Sequence, residues 1–209
     1  MTIDEIMRAA PVIPVLVLDG ALDAAALAET LVGAGLPVIE VTLRTAGALD
    51  AIRAMAKVPG AIVGAGTVLD PGMVGAATEA GAAFLVSPGL TERLGEAAIA
   101  SGVPFLPGVA SAGDIMRGLE LGLDRFKFFP AEAAGGIKTL NALASPFGAV
   151  RFCPTGGITA ASAPAWLKTG SVLCVGGTWV VRPGDGDLGA IADRARSAAA
   201  SGRTAKRAF

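Results

Sequence analysis

Short apolar runs recur along this chain at intervals of roughly 20 to 25 residues, at positions 12–18, 38–43, 61–65, 83–86, 104–106, 126–129, 150–153 and 172–175. Runs of this size suit strands that are covered on both faces. Between them lie Ala-rich segments with apolar residues at helical spacing, as in Leu22, Ala25, Ala26 and Leu31. The starts of these segments carry helix caps: Asp70 before Pro71, Thr91 with Glu92, and Ser111 with Asp114. Gly81, Gly102, Gly122 and Gly170 sit where helices should end. A short helix is expected near residues 3–10, ahead of the first strand.

Eight strands alternating with helices predict a parallel α/β sheet, because parallel strands need crossovers. Eight such units match a closed (β/α)8 barrel, with the first helix over its bottom. The 209 residues are at the short end for that fold, so loops must be brief, and one domain over residues 1–209 is expected. The competing fold is an open doubly wound sheet. It usually places a GxGxxG turn after strand one, where this chain has Leu18-Asp19-Gly20-Ala21.

Composition narrows the function. Hydrophobic residues make up 53 % and charged residues 17 %, yet no run reaches the roughly 18 apolar residues of a spanning helix. A net charge of −1 without a basic patch argues against nucleic acid. Arg203, Lys206 and Arg207 read as a solvated basic end. Cys153 and Cys174 form no CxxC motif and read as buried small hydrophobes. Asp4 and Glu5, with no apolar segment behind them, argue against a secretory signal, so a cytoplasmic protein is expected. The chain has no His and no Tyr, so proton transfer falls to a carboxylate, a lysine, a cysteine or water.

Strand parity then picks out candidates. In Val38-Ile39-Glu40-Val41-Thr42-Leu43-Arg44, alternation puts Glu40, Thr42 and Arg44 on one face and Ile39, Val41 and Leu43 on the other. The apolar set must meet the helices, so the polar set points into the barrel. In Arg125-Phe126-Lys127-Phe128-Phe129-Pro130, Lys127 and Phe129 share the inward face. An unpaired buried ammonium is costly, and desolvation favours the neutral, nucleophilic amine used in Schiff-base chemistry. The bland alternatives are a lysine that snorkels off the strand end and a structural ion pair with Glu40.

Two glycine pairs follow the late strands, in Thr155-Gly156-Gly157-Ile158 and Gly176-Gly177-Thr178-Trp179. Loops after strands seven and eight of this fold commonly hold phosphate. Glycines let backbone N–H groups come close, and following helix starts would add a favourable dipole. Tight turns alone would also explain them. Thr67 either offers its hydroxyl to a substrate oxygen or caps the next helix. Ser87 has no assigned role, and Trp179 reads as packing.

Taken in order, Glu40-Val41-Thr42-Leu43-Arg44-Thr45, Gly64-Ala65-Gly66-Thr67-Val68, Ser87-Pro88-Gly89-Leu90-Thr91, Phe126-Lys127-Phe128-Phe129-Pro130-Ala131-Glu132, Arg151-Phe152-Cys153-Pro154-Thr155-Gly156-Gly157-Ile158 and Gly176-Gly177-Thr178-Trp179 resemble the 2-keto-3-deoxy-6-phosphogluconate (KDPG) aldolases. These are bacterial class I aldolases, often also active on 4-hydroxy-2-oxoglutarate. The resemblance runs from about Pro11 to Val181. It implies a (β/α)8 homotrimer that splits the sugar acid phosphate into pyruvate and glyceraldehyde 3-phosphate. By position, Lys127 matches the Schiff-base lysine and Glu40 the proton-transfer carboxylate. Arg44 and Thr67 match residues that hold the pyruvate carboxylate, and Phe129 packs near the reacting centre. Thr155, Gly156, Gly157, Gly177 and Thr178 fall where the phosphate end is received. Thr178 stands where the family is expected to carry Ser, which keeps the hydroxyl and adds a methyl group.

The imine would serve as the electron sink, so no metal or other cofactor is expected. An ordinary lysine, with pKa near 10.4, is neutral in only about one molecule in 2,500 at pH 7. Burial and a nearby Arg44 would raise that fraction, and a charged Glu40 would lower it. An aldolase for a related keto-deoxy sugar acid phosphate, a phosphosugar epimerase, or a phosphate-binding barrel without imine chemistry would share the glycine loops.

Overall fold

In the computed structural model, residues 1–205 are described, with side chains through Ser201. Lys206, Arg207 and the side chain of Arg203 lie outside the described residues. The elements run α1 (Ile3–Ala9), β1 (Val12–Leu16), α2 (Ala24–Gly33), β2 (Val38–Thr42), α3 (Ala48–Met55), β3 (Ile62–Gly66), α4 (Pro71–Glu79), β4 (Phe84–Val86), α5 (Glu92–Ala100), β5 (Phe105–Leu106), β6 (Gly108–Val109), α6 (Ala112–Glu120), β7 (Arg125–Phe128), α7 (Gly136–Ala144), β8 (Arg151–Pro154), α8 (Ala163–Leu167), β9 (Val175–Gly177) and α9 (Leu188–Ala205). Every ladder is parallel. The caps are where the sequence puts them: Asp70, Thr91 and Ser111 each accept a backbone N–H of the first turn. Gly81, Gly102 and Gly122 take positive φ after their helices, whereas Gly170 does not.

The ladders form two sheets, one of six strands in the order β5-β4-β3-β2-β1-β9 and one of three in the order β6-β7-β8. The seam at β5 and β6 is Pro107. It has no N–H to give a ladder, so the strand expected at 104–106 stops as β5 and a second short strand, β6, follows on its far side. Pro107 still accepts from Lys127 N at 2.8 Å. At the other seam, Thr155 bridges Gly176 and Phe152 bridges Val172.

The last strand is shifted from the inferred 172–175. The ladder to β1 pairs Val12 with Val175, Ile13 with Gly176 and Pro14 with Gly177. The glycine pair read as loop is therefore strand. Gly tolerates this because neighbours fill the missing side-chain space: the Thr155 side chain lies over Gly176 and the Trp179 ring over Gly177.

The parity expected of β2 holds. Ile39 and Val41 join the core against the helices, while Glu40 and Thr42 are buried on the opposite face. Helix α1 lies against the N-terminal end of β7. Ile6 and Met7 are buried, and Asp4 Oδ1 takes a 2.6 Å hydrogen bond from Arg125 Nε across 121 residues. Asp4 Oδ2 takes another from Arg8 Nε at 2.6 Å. The Arg8 and Arg125 guanidiniums hold the Asp4 carboxyl below its usual 3.8. A lowered folded pKa gives stability that is present above 3.8 and lost as pH falls through the folded value. Asp4→Asn should therefore cost about 1 kcal/mol in urea unfolding at neutral pH. The difference from the parent should shrink when the same titration is run near pH 3. An equal difference at both pH values would remove Asp4 as the titrating group.

Candidate active site

At the C-terminal strand ends, a cleft of about 180 Å³ opens over the inward side chains. Lys127 from β7 and Glu40 from β2 meet at its floor. Nζ lies 3.0 Å from Glu40 Oε1 and 3.5 Å from Oε2. Lys127 is 6 % exposed and Glu40 3 %, so both groups have left bulk water. A buried pair of this kind seldom adds net stability, since desolvation offsets the attraction. Two glycines make room for it. Gly66, opposite Thr42 in the β2–β3 register, leaves the space in which the Glu40 carboxylate lies. Gly108, opposite Lys127, passes so close to the Pro88 carbonyl that no side chain fits.

The ring of Phe129 stands over the amine, with its centroid 5.4 Å from Nζ. Arg44 lies just beyond β2, at the exposed rim of the cleft. Its guanidinium makes no hydrogen bond or ion pair with the described residues. A free fork of this kind can grip a carboxylate bidentately. Thr67 lines the wall in the left-handed region, at φ 58°. A β-branched residue there is strained, and such strain collects at functional sites. Asp70, not Thr67, caps the following helix.

Thr155, Gly156, Gly157, Gly177 and Thr178 form the opposite wall. All ten residues expected at the site thus line one cleft. The glycine reading needs correction, however. At Gly177 the vacant side is filled by Trp179, at Gly157 by the Glu132 stem, and at Gly156 by the backbone of Pro130 and Ala131. These glycines are required by protein packing, and at 156 and 157 by positive φ. Only the five-residue helix α8 follows the first loop, and after Thr178 the next helix begins at Leu188, so neither loop runs directly into a helix start as expected.

The remaining candidates fall away. Ser87 is fully buried and gives its hydroxyl to the Gly89 carbonyl at 2.6 Å. Thr42 donates to the Leu16 carbonyl at 2.8 Å. Lys57, Lys138 and Lys168 lie after α3, in α7 and at the end of α8, away from the cleft. Cys153, paired with Lys127 in register, is buried and lies against Cys174. A hydrogen bond with Cys153, then burial, pushes the Cys174 thiol up, which leaves it a protonated packing group. Val15, Val17 and Pro88 also line the cleft, with no role expected of them from the sequence.

The KDPG and KHG aldolase family model matches residues 3–193 of the chain. The chain belongs to the KDPG and KHG aldolase family. Among its relatives, the 2-dehydro-3-deoxy-phosphogluconate aldolase of Zymomonas mobilis is 58 % identical over 97 % of this chain and 98 % of its own length. The KHG/KDPG aldolase of Escherichia coli K12 is 52 % identical over 93 % of each chain. The crystal structure of the Z. mobilis ZM4 aldolase with 3-phosphoglycerate superposes with a TM-score of 0.94 at 58 % identity, covering 97 % of both chains. The Legionella pneumophila KDPG aldolase, captured with pyruvate as a covalent carbinolamine, gives 0.91 at 41 % identity over 95 % of this chain and 98 % of that one. As a member of the aldolase family, the chain carries all ten expected site residues within the stretch matched by the family model.

Proposed function

We propose that this chain is a class I aldolase, a carbon–carbon lyase that cleaves 2-dehydro-3-deoxy-6-phosphogluconate to pyruvate and glyceraldehyde 3-phosphate. Cleavage of 4-hydroxy-2-oxoglutarate to pyruvate and glyoxylate would use the same centre. The observation that carries this reading is the buried Lys127–Glu40 contact of 3.0 Å, in a cleft that Arg44 also lines.

The chemistry follows from those groups. The neutral amine of Lys127 attacks the C2 carbonyl, and Glu40, within hydrogen-bond reach, accepts the proton that the amine sheds. The carbinolamine loses water to give a protonated imine, which draws electrons from the C3–C4 bond. Removal of the C4 hydroxyl proton breaks that bond and releases the aldehyde. The enamine left behind takes a proton at C3, which becomes the pyruvate methyl, and water then hydrolyses the imine. Glu40 is the carboxylate at the cleft floor for both proton transfers, directly or through one water. Arg44 grips the substrate carboxylate and Thr67 adds a donor beside it, which aims C2 at Nζ. The Phe129 ring keeps water from the amine.

The far end of the substrate lies against Thr155, Gly156, Gly157, Gly177 and Thr178. This wall has no Lys or Arg, so backbone N–H groups and the threonine hydroxyls hold the phosphate. Thr178 is exposed and open to substitution. Thr178→Glu should set a carboxylate against the phosphate and weaken the phosphorylated substrate at least tenfold, while exchange of the pyruvate methyl protons persists. Normal affinity for the phosphorylated substrate in that variant would place the phosphate elsewhere. Direct assay of pyruvate release from the phosphorylated and unphosphorylated substrates tests the activity itself.

The wider reading is a single (β/α)8 domain over residues 1–209 whose two sheets close into one barrel. Continuity through Pro107 and the bridges from Phe152 to Val172 and from Thr155 to Gly176 support it. A homotrimer is part of the same proposal and rests on the family resemblance, and a cytoplasmic location is proposed with it. Among the described residues no helix is long and apolar enough to cross a membrane.

A further inference from the structure

The loop formed by Gly156 and Gly157 has no side chains of its own to hold it, and both residues sit at positive φ. Glycine loops in that region are conformationally free, yet a site must be held within a fraction of an ångström. Something outside the loop has to fix it. The backbone that leaves β7 does part of this. Ala131 N donates to Thr155 O at 2.8 Å and Glu132 N to Gly156 O at 3.0 Å.

The Glu132 side chain does the rest. Its stem runs across Gly157, where a side chain would bring its Cβ within 2.8 Å of Glu132 Cβ and 2.9 Å of Cγ. Its carboxylate then accepts a 2.9 Å hydrogen bond from Trp166 Nε1 on α8. Trp166 is itself fixed: it is 1 % exposed, and its ring lies 6.3 Å from that of Phe128, the neighbour of Lys127 in β7. One residue therefore ties together the strand that carries the amine, the glycine loop and the helix after it.

We propose that Glu132 is a positioning residue for the phosphate end of the substrate, acting as a strut that sets the Gly156–Gly157 wall at a fixed distance from Lys127. This inference rests on the aldolase reading above. Its role is geometric and not electrostatic. A negative charge near a bound phosphate is unfavourable, so a carboxylate here is explained by what it holds. Gln keeps an acceptor oxygen for Trp166 Nε1 and drops the charge, whereas Ala removes the strut.

The test compares Glu132→Ala, Glu132→Gln and Trp166→Phe by steady-state cleavage of 2-dehydro-3-deoxy-6-phosphogluconate and by deuterium exchange into the pyruvate methyl group. Pyruvate lacks the phosphate end, so on this reading its exchange should not depend on the glycine wall. Glu132→Ala should raise KM for the phosphorylated substrate by about tenfold, the scale of one intramolecular hydrogen bond. Its kcat and its pyruvate exchange should stay within about twofold of the parent, a margin far below the strut's own effect. Glu132→Gln should match or improve on the parent KM. Trp166→Phe, which removes the donor, should raise KM in the same direction. An unchanged KM in Glu132→Ala, a Gln variant as weak as Ala, or a parallel fall in pyruvate exchange would each overturn the strut. A parent protein that exchanges pyruvate protons yet does not cleave the phosphorylated substrate would overturn the aldolase reading first, and the strut with it.

Discussion

Glu40→Gln should slow exchange of the pyruvate methyl protons into deuterated water by about 10²-fold or more, the usual scale for a lost general base. The variant keeps the size of the side chain and an oxygen that can accept from Lys127, so the floor of the cleft should stay packed. What it loses is the ability to take a proton from the amine and return one to the enamine carbon. Imine formation should persist in part, since water can substitute slowly. Cleavage and exchange should fall together, because both pass through the same enamine. Unchanged exchange would show that another group carries the proton, and among the described residues no other carboxylate lines the cleft.

Lys127→Met should abolish turnover and also destabilise the protein, by roughly 3–5 kcal/mol, the usual cost of breaking a buried pair by removing one partner. The variant leaves a carboxylate 3 % exposed with its cationic partner gone. Adding Glu40→Leu should recover most of that loss and can exceed the parent in stability, because a desolvated ion pair often gains less than an apolar pair of similar volume. Urea unfolding of the parent, the single and the double variant measures this. The double variant would be a stable, inactive protein, which is the signature of a pair kept for chemistry. A single variant as stable as the parent would mean that the pair is not desolvated as the structure has it.

Parity exposed Glu40 and Lys127 in the sequence because each stands out against apolar neighbours of known facing. The same argument was silent on β1. Val15 and Val17 line the cleft, but both faces of that strand are apolar, so alternation carries no contrast. Gly176 and Gly177 were read as loop because a residue without a side chain gives no periodic signal, although β1 pairs with both. The Pro107 break was missed because the run beyond it, Gly108–Val109, is too short to register. Glu132 and Trp166 are 34 residues apart and belong to no shared pattern, so only the folded chain brings them together.

The central claim is that Lys127 forms an imine with the keto acid. Borohydride reduction in the presence of pyruvate, followed by peptide mass spectrometry, tests it most directly. The account predicts one reduced pyruvate adduct, on Lys127, with none in Lys127→Met. An adduct on Lys57, Lys138, Lys168 or Lys206, or a parent protein that remains unlabelled and is not inactivated, would contradict it.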